Sequence, residues 1–177
     1  MSKHFRALLF VVSAAFLASG CSDDKEKNCP AASAIVDTAI ATVFKTGTSP
    51  DPANILYTVE VTGVTGHCDV DKQALNSISS VEISFRAIRA PSGAAADYKV
   101  PYFIAVSQED RLLAKKIYVA DFSFAPGQTT TTFTQSAESI DVSAAKDKKT
   151  YDYNVLVGLQ LTKEQLDFNR ASGRLNP

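Results

Sequence analysis

Tryptophan is absent from this sequence of 177 residues, methionine occurs once, and of two histidines only His67 lies beyond the N-terminal hydrophobic stretch. Without Trp, and with only 10 Phe and 6 Tyr, the chain is poorly equipped to build an aromatic platform for carbohydrate. A single His means that any Ser-His-Asp or Cys-His relay must be built around His67. Its neighbour Cys68 is a poor candidate, because adjacent side chains on a strand point to opposite faces. There is no CxxC pair and no Gly-rich phosphate loop. Neither sign of charge dominates, with 18 Lys and Arg against 19 Asp and Glu, so the basic field that nucleic-acid binding requires is missing. Long hydrophobic runs are missing too. The best, "ALLFVVSAAFLASG" at 7–20, falls short of the roughly 20 residues that cross a bilayer.

That short run has another use. Lys3, His4 and Arg6 precede it as a basic start, the pattern of an export signal removed from the mature chain. It ends in Leu17-Ala18-Ser19-Gly20-Cys21, which resembles the lipobox of bacterial lipoproteins, although Ala18 stands where a larger aliphatic residue is commoner. The resemblance implies a diacylglyceryl group on the Cys21 sulfur, cleavage between Gly20 and Cys21, and acylation of the new amine. One acyl chain holds a protein to a membrane marginally and two hold it stably. Ser22 follows Cys21, whereas Asp at that place resembles an inner-membrane retention signal. The expected location is therefore the periplasmic face of the outer membrane, with residues 21–28, "CSDDKEKN", as a lipidated spacer.

Past residue 20 the chain keeps 157 residues, 16 basic and 19 acidic, the size of one domain with a real core. Setting Cys21 aside leaves Cys29 and Cys68, an even number in an oxidising compartment, and a disulfide between them is expected. Closing that loop of about 40 residues restricts the unfolded chain by roughly 3 to 4 kcal/mol on the entropic account.

The remainder reads as strands. "AASAIVDTAIATVFK" is rich in Ile, Val and Thr and is expected to be one strand rather than a helix. "ILYTVEVTG" and "VEISFRAIR" alternate with period two, the second placing Val81, Ile83, Phe85 and Ala87 on the core side. "YKVPYFIAVSQ" is a strand whose Pro101 suggests an edge or a bulge. "LLAKKIYVADFSF" is a long strand, bent between Val119 and Phe122. "TTTTFTQSAESIDV" is a strand with one face in water, and "TYDYNVLVGLQL" sets Tyr151, Tyr153, Val155, Val157 and Leu159 on one face. Seven or so strands without a long helix indicate an all-β fold, a single antiparallel, immunoglobulin-like β-sandwich over 29–170. Thr162 with Gln165 makes a capping box, and Leu161 with Leu166 a hydrophobic staple, for a short helix at about 163–170 that covers an end of the sandwich. Residues 171–177 form a C-terminal tail.

Several of these segments together resemble a family of small proteobacterial outer-membrane lipoproteins: "CP" at 29, "YTVEVTG" with Cys68 beyond it, "VEISFRAIRAPSG", "VPYFIAV", "LLAKKIYVADFSF" and "YNVLVGLQLTKEQLDFNR". The resemblance spans the domain and implies a lipid-anchored β-sandwich. It implies no activity and supplies no functional residue.

Chemistry is scarce. His67, Asp69 and Asp71 alternate in "HCDVD" and would share one side of an extended strand, a possible start for zinc or manganese. Three ligands from one short stretch lack second-shell support, however, and a polar strand end with Asp71 as a cap is the simpler expectation. Asp23-Asp24 and Glu109-Asp110 sit in polar segments where nothing desolvates them. Arg86 and Arg89, on or near the outward face of a strand, are candidates for an anionic partner. The expectation is a protein without cofactor, metal or catalytic activity, held to the membrane through its N-terminal lipid and engaging an envelope protein, for instance by strand addition at a sheet edge. The alternative is a carrier for an apolar envelope molecule such as a lipid. It requires an internal pocket of roughly 300 Å³ or more, lined by Phe85, Phe103, Phe133 and Tyr153.

Overall fold

A computed structural model describes residues 28–91 and 94–173. The expectations placed on residues 1–27, Cys21 and its cleavage site among them, and on 174–177 lie outside those residues.

Period-two patterning builds the centre. In β3 (Ile55–Val70) Tyr57, Val59 and Val61 point inward, and in β4 (Asn76–Arg89) Val81, Ile83, Phe85 and Ala87 do the same. The two strands form a hairpin through the loop at 71–75, and they are flanked by β2 (Ile40–Phe44) and β7 (Thr130–Ser143) in the order β2-β3-β4-β7. The second sheet contains β1 (Ala31–Ala34), β8 (Tyr153–Leu159), β5 (Ala96–Gln108) and β6 (Arg111–Phe124) in the order β1-β8-β5-β6. All pairings are antiparallel except that of β1 with β8. The two sheets pack face to face as an all-β sandwich. Phe85 stacks on Phe133, which stacks in turn on Phe122, while Tyr102 meets Phe85 edge-on. Burying each such ring stabilises the fold by about 1.5–3 kcal/mol. Burial also raises the phenols of Tyr57 and Tyr102.

The segment 31–44 differs from expectation: it is two strands in different sheets. Ile35 donates to Val157 at the end of β1, the helical turn Val36–Thr38 redirects the chain, and β2 then joins β3. The crossing is close. A Cβ on Gly66 of β3 would stand 2.6 Å from the Ala32 Cβ, so only glycine lets β1 pass there.

Pro101 is not at an edge, since β5 lies between β8 and β6. The ladder with β8 begins only at Tyr102, and the Pro101 carbonyl accepts from Gln160 on that side. The missing N–H falls on the same side, just past the end of β8, so no bond to β6 is lost. Between Val119 and Phe122 alternation continues without the expected slip, with Ala120, Phe122 and Phe124 buried and Val119 and Asp121 exposed; the irregularity of β6 lies earlier, at the bulge where Val106 pairs with Ala114 but Ser107 with Leu112. Tyr151 is outside the core because it belongs to a helical turn before β8 begins.

The C-terminal helix α1 (Lys163–Ala171) has the expected Thr162–Gln165 capping box. It lies along the edge of β2 rather than over an end of the sandwich. The Gln165 side chain donates to the Thr42 carbonyl at 3.0 Å, and the buried Asn169 amide donates to the Ile40 carbonyl at 2.8 Å. Two amides thus stand in for a neighbouring strand.

Candidate functional site

The chain enters the described domain at one end of the sandwich. The Thr150 hydroxyl donates to the Asn28 carbonyl, the Thr150 N–H donates to Ala74, and Lys148 bridges to Glu109 at 2.8 Å. These bonds gather residue 28, the 71–75 loop, the β5–β6 turn and the loop after β7 at that end. The Cys29–Cys68 disulfide forms here, with a Cα–Cα distance of 5.8 Å, and fastens the start of the domain to β3. A bulge between Val61 and Gly63 makes this possible, because it shifts the face of β3 by one residue and turns Cys68 toward β1.

The same shift turns His67 and Asp69 to the outer face, where both are exposed. Asp71 does not join them. Its carboxylate is folded into its own turn, where the Leu75 N–H, the Asn76 side-chain amide and the N–H groups of Asn76 and Gln73 hold its pKa below the ordinary carboxylate value. Among the described residues no three His, Cys, Asp or Glu side chains come together as a metal site. His67 is opposite Ser80, and a bulge on β7 places Glu138 beside Ser80 across a shallow cleft of about 300 Å³. In that row the hydroxyl stands between imidazole and carboxylate, whereas a relay needs the imidazole in the middle.

The two arginines do not form a site together. Arg86 is exposed and paired with Glu60 at 2.6 Å across the β3–β4 ladder. Arg89 points inward, not outward. Its guanidinium donates to the carbonyls of Gln128, Ala94 and Ala125 and lies 4.5 Å over the Phe124 ring, closing the far end of the sandwich. Its position was present in the pattern, since 81, 83, 85, 87 and 89 share parity. Phe103, expected inward, is instead on the outer face, under Lys115 and against Gly158. Tyr153 packs with Val106 and Val142. None of the clefts described here is lined by Phe85, Phe133 or Tyr153.

The least conventional surface is the side formed by β6 and β7, a feature missing from the sequence reading. Each strand ends its sheet, β6 pairing with β5 and β7 with β4. Every residue from 111 to 117 is exposed, and Leu112, Leu113, Ile117 and Val119 account for much of the large apolar surface left in water, with Leu112 60 % and Ile117 56 % exposed. Arg111, Lys115 and Lys116 make this edge basic, while Glu138 and Asp141 make the facing end of β7 acidic. Between the two strands a cleft of about 310 Å³ opens, with Ile104, Val106, Tyr118 and Ile140 in its wall and Lys116 and Glu138 at its rim. Edge strands of this length invite pairing with another chain, and lysines normally restrain it.

No family model, no curated protein and no solved structure matches this chain.

Proposed function

We propose that this protein is a lipid-anchored component of the bacterial envelope, held by Cys21 at the periplasmic face of the outer membrane and acting through protein contacts rather than catalysis. The observation that carries the reading is the sequence Leu17-Ala18-Ser19-Gly20-Cys21, a lipobox-like ending to a basic and then apolar N-terminus. The disulfide at Cys29 supports it, because a chain tethered at Cys21 is then fastened to the domain only eight residues later. The open β6 edge supplies an interaction surface, with free strand length for backbone pairing and apolar side chains for its outer face. Arg86 remains an exposed cation on the sheet face, while Arg89, being buried, has no part in this role.

The test is the intact mass of the protein purified from its native membrane fraction, with and without reductant. The expected species begins at Cys21, carries added acyl mass, and shows two further thiols only after reduction. A chain that retains residues 1–20, or one that begins at Cys21 without acyl mass, defeats the anchor.

A further inference from the structure

We propose that the occupant of the β6/β7 side is a second copy of this chain, related by a two-fold axis parallel to the strands. This rests on reading that side as the interaction surface, and it does not depend on the anchor. β5 and β6 form a hairpin at the end where residue 28 enters, so β6 runs away from that end. β7 runs toward it, because its last residue, Ser143, pairs with Asn76, the first residue of β4. The two strands are therefore antiparallel within one molecule. They are also in step, since Phe122 of β6 stacks on Phe133 of β7 at 4.9 Å, and residues 114–118 share a cleft with 138–141.

A two-fold rotation about an axis along the strands, passing outside this side, exchanges the two layers and preserves height. It sets β6 of each copy beside β7 of the other, antiparallel, with their inner faces on the same side. Each sheet then continues across the axis as β1-β8-β5-β6 followed by the partner copy's β7, β4, β3 and β2, and both exposed edges disappear at once. Lys115, on the outer face, meets Glu138 and Asp141 at the matching height, whereas Lys116 lies on the inner face over the Tyr118 ring, and pairing β6 with another β6 would bring lysines together. The two apolar clefts face each other and close. The interface is isologous and complete at two copies, so it does not lead to filaments. Because height is preserved, residue 28 of both copies faces the same way, and both chains approach one membrane from the same side.

The experiment uses the full chain in its own membrane, with two differently tagged copies expressed together, one carrying Lys115→Cys and the other Glu138→Cys. Mild oxidation should yield an adduct of twice the chain mass containing both tags, and little from either variant alone. Lys115 and Lys116 are next converted to Glu on untagged chains, and the dimer band is followed on native gels in mild detergent. The dimer band should fall by about tenfold or more, and return when Glu138 and Asp141 are also converted to Lys. Retention of the Cys29–Cys68 bond, and a thermal midpoint equal to that of the parent chain at dilutions where both are dissociated, show that the variants fold. No adduct, a band indifferent to charge reversal, or capture of Lys115→Cys by a different protein each overturns the dimer. The last of these leaves the protein-contact reading standing, whereas an unacylated chain leaves the dimer standing and removes only the anchor.

Discussion

Along one side of the sandwich, β2 ends its sheet beneath α1, which satisfies its carbonyls with Gln165 and Asn169, and β1 ends the other sheet after four residues, pinned by the crossing at Gly66 and the disulfide at Cys29. Along the opposite side, β6 and β7 end theirs at full length, 14 residues each, with no described residue pairing beyond them. A domain that finishes one pair of edges with a helix and a covalent bond has the means to finish both. That it leaves the second pair long, apolar and oppositely charged is the ground for the proposed association, since an unpaired edge is a liability unless something pairs with it. The first side is closed by the fold itself, and the second is closed by nothing among the described residues.

The largest effect that separates the two sides is expected at the disulfide. Replacing Cys29 and Cys68 together by Ser should lower unfolding free energy by about 3–4 kcal/mol in urea titration, chiefly by releasing the loop in the unfolded chain. A loss under about 1 kcal/mol would mean that β1 is held by packing at Ala32 and pairing with β8 alone, and the covalent half of the contrast would fall. Asn169→Ala tests the other half. The side chain is fully buried, donates to Ile40, and approaches the Thr42 hydroxyl at 3.3 Å through its own oxygen. Its removal leaves a buried carbonyl and a buried hydroxyl without that partner, a cost of about 1–3 kcal/mol. The same variant should aggregate more readily on partial unfolding, as β2 becomes a free edge. Equal stability to the parent chain in chemical denaturation would show that α1 merely lies on the surface.

The sandwich itself is legible in the sequence where chemistry is local. Val59, Ile83, Phe85 and Val157 are core because alternation places them there, and Thr162 with Gln165 starts a helix wherever it occurs. The switch of sheets between Ala34 and Ile40 is not legible, because Ile35 to Phe44 is β-prone throughout and the break depends on what β8 and β3 offer on either side. Polar Gln165 and Asn169 look like solvent-facing helix residues until β2 is known to lie beneath them. The open edge is hidden for a similar reason. Leu112, Leu113, Ile117 and Val119 read as core side chains, and only strand order, a property of the whole chain, puts β6 at the margin. Arg89 is the opposite case. Its charge points to the outward face, where it is expected, yet it shares the parity of the core residues of β4, and three carbonyls with an aromatic ring satisfy the guanidinium in the interior.

The smallest expected effect on stability is also the most discriminating. Ile117 lies on the open edge with 56 % of its surface in water, and Ile117→Lys should change the unfolding free energy by no more than about 0.5 kcal/mol, within the range of substitutions that touch nothing buried. The same substitution at a covered edge would strand a charge against packed neighbours and cost several times more. If association through β6 occurs, the variant should weaken it while the chemical denaturation curve of the dissociated chain stays in place, because a lysine on an edge strand restrains pairing without disturbing the sheet behind it. A loss above about 1 kcal/mol in the dissociated chain would instead place Ile117 under cover in solution, and the distinction between a finished and an open side would disappear with it.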